Sequence, residues 1–160
     1  MSFFSRFTNK LSVIKYDKYR KKLNAMNKNL AIYGQLIIKD YHKIEIGRNC
    51  RLNDFAFLHG GGGLVIEDDV TVSAFAKIIS YGYDTRDWVD NYLIKEHVGG
   101  LIHIGKGSWI GAGTTILPGV KLTGKGIIVA AGSVVTKSFN EDFVVVGGNP
   151  ATILKRYSKS

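Results

Sequence analysis

Cysteine is almost missing from this 160-residue chain. The single Cys50 excludes an internal disulfide, and no Cys/His spacing matches a structural zinc site. That scarcity fits a reducing compartment. No apolar run is long enough to cross a bilayer, and the N-terminus lacks a secretory apolar stretch, so the expectation is a cytoplasmic protein. Proline occurs only twice, and 13 acidic residues face 22 Lys and Arg. Hydrophobic residues at 45% against 22% charged exclude a disordered or low-complexity chain. The length suits one domain with a sizeable core.

Glycine, by contrast, is abundant and regional: 17 of the 19 glycines fall between Gly60 and Gly148. The net charge of +9 is just as uneven. Residues 1–28 hold eight basic groups and one acid, Asp17, whereas the other 132 residues carry 14 basic and 12 acidic groups. A basic head therefore precedes a nearly neutral body.

An aliphatic residue recurs every six positions at Ile104, Ile110, Ile116, Leu122, Ile128 and Val134. Four residues after each comes Ser108, Thr114, Val120, Gly126, Gly132 or Ser138. The spacing also runs through Ile46, Leu52 and Leu58, then Ile66, Val72 and Ile78, with a two-residue slip at 62–65. Ile32, Ile38 and Ile44 open the series, with Ile46 competing for the register. Six is a multiple of the strand period of two, so these positions share one face of extended segments. A helix would turn by roughly 600° over six residues and lose phase. Short strands joined by tight turns, coiling parallel to themselves around an aliphatic core, satisfy the pattern. The glycines at 107, 113 and 119 supply turns that need φ > 0. The fold expected is an all-β solenoid, a parallel β-helix.

The blocks WIGAG, ILPGV, AGSVVTK and GNPA, in this order between Ile104 and Arg156, resemble the hexapeptide-repeat acyltransferases. The similarity is to the branch of galactoside, maltose and serine acetyltransferases and bacterial polysaccharide O-acetyltransferases. It implies a left-handed triangular prism, a handedness that only the resemblance supplies. It further implies a homotrimer with acetyl-CoA as co-substrate, no metal, and a sugar or glycan acceptor held in a cleft between prisms. Carried over position by position, Trp109 matches an aromatic near the pantetheine arm, and Ala112 and Ala131 match backbone contacts to it. Thr136 and Lys137 match a pair near the adenosine phosphates, and Lys155 with Arg156 matches basic groups meeting CoA phosphates. Tight turns also require small residues at Ala112 and Ala131, and Lys137 and Lys155 read alternatively as solvated charges.

The repeat stops between Ile78 and Ile104. Residues 81–101 hold Trp88, three tyrosines, four acids and His97, a composition suited to gripping a sugar ring. In the resembling family a histidine at the start of this loop is the general base. Here the segment reads Ser80-Tyr81-Gly82-Tyr83-Asp84, and Tyr83 stands in its place. Tyrosine ordinarily ionises at about 10, so at neutral pH it is protonated and cannot take up the acceptor's proton. Three accounts follow. His97 folds back to supply the base; or an amine acceptor needs only positioning; or the chain is a non-catalytic binding homologue. Tyr83, His97 and Asp84 are thus the candidate catalytic residues. His59 lines the cleft below Tyr83 or caps a turn, while His103 reads as a face residue. The three histidines 59, 97 and 103 suffice in number for the zinc site of another solenoid branch, but their spacing does not match it.

In the head, Phe3, Phe7, Leu11 and Ile14 form a helical stripe among lysines. Such a helix over residues 1–23 either lies on an anionic membrane surface, at the inner membrane, or plugs the open end of the solenoid. No base-stacking platform accompanies the charge, so a nucleic-acid partner is not expected. The chain divides into the basic head (1–28), the β-helix (29–156, with loop 81–101) and a tail (157–160). Its expected activity is direct acetyl transfer from acetyl-CoA to a sugar hydroxyl.

Overall fold

Successive short strands of the coil lie on different faces and so do not pair with one another. Each bonds instead to the strand one coil away. The computed structural model describes residues 17–158, and these coil into a left-handed parallel β-helix of three faces. Face A stacks Ala31–Ile32, Arg51–Leu52, Thr71–Val72, Trp109–Ile110, Ile128–Val129 and Val144–Gly148, all parallel, with Ala151–Arg156 added antiparallel at the end. Face B stacks Ile37–Lys39, Phe57–His59, Lys77–Ile79, Thr115–Ile116 and Val134–Val135. Face C stacks Ile44–Ile46, Leu64–Ile66, Ile102–Ile104 and Lys121–Leu122.

The hexad aliphatics point inward and form one continuous core. Leu52, Leu58, Ile78, Ile104, Ile110, Ile116 and Leu122 are wholly buried. Cys50 is buried among them, its thiol pushed above the ordinary value chiefly by that burial. One expectation needs correcting. Beyond Leu122 the turn at 123–126 carries an extra residue, so Ile128 and Val134 face outward while Ile127, Val129 and Val135 are buried. A shift of one position moves a strand's side chains to its other face. The later partners are accordingly Ser133 and Phe139, in place of Gly132 and Ser138.

The same corner position takes a left-handed backbone in coil after coil. Gly107 and Gly126 occupy it late in the chain, whereas Asn29, Asn49 and Asp69 occupy it early. Asn and Asp tolerate φ > 0 better than other side chains, so this corner needs no glycine in the first coils. They also pair upward: Asn29 Nδ2 donates to Asn49 Oδ1 at 3.0 Å, and Asn49 Nδ2 to Asp69 Oδ1 at 3.1 Å.

Residues 17–22 form a helical turn against the first coil, where Tyr19 and Leu23 are 8% and 2% exposed and join the core beside Leu30 and Ile32. Arg20 Nε donates to the Leu30 carbonyl at 3.0 Å. The stripe from Phe3 to Ile14 lies outside the described residues. No helix among the described residues is long and apolar enough to cross a membrane.

Inside the core, Thr114 and Ser133 satisfy their hydroxyls on the Ala130 carbonyl, at 3.2 and 2.6 Å. Ser108 Oγ is buried without a partner among the described residues. Ser108→Ala is therefore expected to raise the unfolding free energy by about 1 kcal/mol. Ile116→Ala, which opens a cavity in the same core, should lower it by about 2–5 kcal/mol. Urea unfolding of both variants checks the opposite signs.

Candidate active site

The loop expected at 81–101 is an antiparallel hairpin, Tyr81–Tyr83 against His97–Gly99, with a short helix, α1 (Trp88–Asn91), beyond it. It rises from the corner between faces B and C, in the third coil. Backbone packing fixes its base. Gly62 N–H donates to Ser80 Oγ at 3.0 Å, Ser80 Oγ donates to the His59 carbonyl, and Gly100 N–H donates to the Ser80 carbonyl at 2.9 Å. A Cβ on Gly62 would fall 2.0 Å from the Ser80 carbonyl oxygen. The run Gly60–Gly63 thus lets three backbones meet at one corner.

Alternation within the hairpin decides which side chains meet. Tyr83 lies directly opposite His97, and Tyr81 opposite Gly99. Tyr81, Tyr83 and His97 consequently share a face. The His97 and Tyr83 ring centroids are 4.5 Å apart, and His97 and Tyr81 stack at 5.2 Å with planes 7° apart. His59 meets Tyr81 edge-on at 5.7 Å, and its Nε2 lies 3.1 Å from Asp40 Oδ2. The structure thus joins Tyr83 to His97. Asp84 does not join them, because its carboxylate is turned to Arg86, whose Nε lies 3.0 Å from both oxygens and whose Nη2 also donates to Oδ2. That guanidinium holds the Asp84 carboxyl down at about 2.

His103 stands on the outer side of face C, with Nε2 2.7 Å from Glu67 Oε1. The bond to His103, joined by the Lys106 amide on Oε2 at 2.8 Å, lowers the Glu67 carboxyl. His59, His97 and His103 are thereby committed to different partners.

The expected CoA-binding residues divide between corners. Trp109 is exposed on face A, its Nε1 donating to Ser73 Oγ at 2.9 Å. Ala112 and Ala131 stack one coil apart at the next corner, where Gly132 N–H donates to the Ala112 carbonyl at 2.8 Å. Thr136 and Lys137 follow face B, at the corner that carries the hairpin. Lys155 lies over Tyr157, 4.4 Å from the ring centroid. Arg156 is engaged with Glu141, Nε to Oε2 at 2.7 Å, which lowers the Glu141 carboxyl. Sequence reasoning missed Tyr81 and Asp40. The Tyr-Gly-Tyr alternation could have shown that Tyr81 and Tyr83 point the same way, but Asp40 reaches His59 only across a coil.

No protein-family model matches the chain. Over 73 residues it is 48% identical to "Putative acetyltransferase YvoF" of Bacillus subtilis, a match covering 46% of this chain and 41% of that one. The chain thus spans less than half the length of that relative. It is 29% identical over 161 residues to dTDP-4-amino-4,6-dideoxy-D-glucose acyltransferase of Escherichia coli, covering 84% and 83% of the two chains. Among solved structures, the hexapeptide-repeat acetyltransferase VCA0836 of Vibrio cholerae, complexed with acetyl coenzyme A, shares the fold with a TM-score of 0.74 at 22% identity, over 91% of this chain and 79% of that one. AntD, an N-acyltransferase from Bacillus cereus in complex with dTDP and 3-hydroxybutyryl-CoA, matches with a TM-score of 0.64 at 25% identity, over 82% and 81%.

The Asp84–Arg86 pair gives a direct electrostatic prediction. Asp84 should titrate near 2 in the folded chain, below an unperturbed value of about 3.9. Its small stabilising contribution is complete above the unperturbed value and is lost as pH falls towards the folded one. In Arg86→Ala the midpoint should return to the ordinary carboxylate range, as followed by NMR of the side-chain carboxyl carbons.

Proposed function

We propose that this chain, which belongs to the hexapeptide-repeat acyltransferase family, transfers an acetyl group from acetyl-CoA to a hydroxyl of a sugar or glycan, with His97 as general base. One observation carries the reading. His97 lies directly across the hairpin from Tyr83, its ring 4.5 Å away, so an imidazole stands beside the position where the family resemblance leads one to expect a histidine.

The chemistry asks little more of the hairpin. An imidazole ordinarily titrates near neutrality and can accept a proton there. His97 takes the acceptor hydroxyl's proton as that oxygen forms a bond to the thioester carbonyl carbon. When the carbon–sulfur bond breaks, the imidazolium returns the proton to the departing thiolate. The products are an acetyl ester and free CoA. Tyr83, half exposed beside His97, offers its hydroxyl as a donor to the sugar.

For the co-substrate, the chain offers an exposed indole at Trp109 and small turn residues at Ala112 and Ala131, which let an extended arm approach the backbone. Lys137 and Lys155 have no ion-pair partner among the described residues and supply positive charge. Arg156 would first have to leave Glu141. The hairpin and the Trp109–Ala112–Ala131 strip lie on different corners of one prism. A thioester along the strip would therefore meet the hairpin of a neighbouring copy, which supports a homotrimer as the working unit. Apolar surface supports it too. Phe55 and Phe75 stack at 5.2 Å on the edge of face B, bordering a cavity of about 450 Å³ with Ile37, Phe57 and Lys77. Val89 and Leu93 beyond the hairpin are 87% and 79% exposed.

A second reading places an amine where the hydroxyl would be, giving an amide. It is favoured by the Escherichia coli relative, whose name specifies a 4-amino sugar and which matches over most of both chains.

Acetyl-CoA binding and acceptor-dependent CoA release separate these readings. His97→Ala should lower kcat by about 10²–10⁴ with acetyl-CoA affinity unchanged. Tyr83→His should remain active. Turnover only with amino sugars would establish the amide reading. Acetyl-CoA binding without turnover on either acceptor class would leave a binding protein, and failure to bind acyl-CoA would remove the whole proposal. Separately, Phe75→Asn keeps a residue that tolerates φ > 0 but removes the ring, and should shift a trimer towards monomer in sedimentation velocity.

A further inference from the structure

We infer that Tyr81 is a positioning residue for His97, setting the plane of the imidazole by stacking where other sites use a carboxylate. The inference rests on the reading of His97 as the base. It goes beyond it by naming what holds that base in place.

A general base works only when its ring is aimed, and a hydrogen bond to its second nitrogen usually supplies the aim. His97 has no such bond among the described residues: its ring makes no side-chain hydrogen bond, and the nearby Asp84 is committed to Arg86. The ring is also exposed. What constrains it is aromatic contact, parallel to Tyr81 at 5.2 Å and 7°, and tilted against Tyr83 at 4.5 Å.

Tyr81 is itself more firmly seated than His97, as a positioning group must be. It is half-buried. Room for its ring is made by two glycines. A Cβ on Gly61 would come within 2.8 Å of Tyr81 Cβ and Cγ, and one on Gly99 within 3.5 Å of Cδ2. Its edge contact with His59, and the bond from His59 to Asp40, tie it to the solenoid wall. Asp40, His59, Tyr81 and His97 thus form a ladder from the rigid prism out to the hairpin. Because Gly99 lies opposite Tyr81, the phenol ring leans diagonally onto His97.

The test uses Tyr81→Leu, Tyr81→Phe and His97→Ala in the full chain. Tyr81→Leu should lower kcat about tenfold with the KM for acetyl-CoA unchanged. Tyr81→Phe, which keeps the stack, should restore wild-type turnover. A ring-current readout is independent of activity: the His97 ring C–H signals in NMR should move in Tyr81→Leu and stay in place in Tyr81→Phe. Wild-type kcat in Tyr81→Leu, with His97→Ala inactive, would overturn the positioning role and leave the base reading intact. Equal losses in Tyr81→Leu and Tyr81→Phe would overturn it as well. Full activity in His97→Ala would remove the base reading and this inference with it, while the NMR signals would still report the stack. Should Tyr81→Leu fail to fold, Gly61→Ala, which displaces the ring without deleting it, is judged by the same outcomes.

Discussion

Every parallel strand in the β-helix depends on hydrogen bonds borrowed from the coil above or below. A two-residue strand such as Thr115–Ile116 has no partner nearby in sequence; it pairs with Lys77 and Ile78 on one side and with Val134 and Val135 on the other. The ladder holds only while successive coils stay in register, and register is enforced from inside, where aliphatic side chains stack. Ile78, Ile116 and Val135 are wholly buried one above another. Corner turns then have little freedom. Each must redirect the chain from one face to the next within a few residues, and most do so with one left-handed backbone position, such as Asn49, Phe75 or Gly119.

That rigidity makes the corner between faces B and C a foundation. The hairpin at 81–99 breaks the coil but does not loosen it, because Ser80, Gly62 and Gly100 knit its base to the turn below. Gly119 N–H then donates to the Gly100 carbonyl at 3.1 Å, so the next coil closes over it. Tyr81 and Tyr83 leave the wall in a fixed orientation, and His97 returns opposite them. A site built on such a platform can hold side chains in place through packing alone.

Charge is distributed by the same economy of short range. Asp84 takes Arg86 two residues away, and Arg156 takes Glu141 from an adjacent loop. Both pairs are accessible to solvent, where ion pairing adds little to stability. Their effect here is on availability: they keep the Asp84 carboxylate from His97, the proposed base, and the Arg156 guanidinium from the groups proposed to meet phosphates. In the proposed site, the aromatic ladder below His97 holds the ring by packing, where a free carboxylate would hold it by a hydrogen bond.

Much of this was legible in the chain itself. The hexad period determines the solenoid, because only a period commensurate with two keeps aliphatics on one strand face. Corner glycines such as Gly107 could be placed for the same reason. That a histidine is expected where Tyr83 stands came from the resemblance to the hexapeptide-repeat acyltransferases, and His97 could be named as its candidate replacement because it lies in the same loop. Tertiary structure decided the remainder. One extra residue in the 123–126 turn reversed the facing of Ile128 and Val134, which local spacing cannot reveal, since a turn absorbs a residue at no visible cost to the pattern. The contact of His97 with Tyr81 and Tyr83 depends on hairpin register, and the pairing of His59 with Asp40 on the rise from one coil to the next. Those distances are set by stacking between coils, an interaction between residues far apart in sequence.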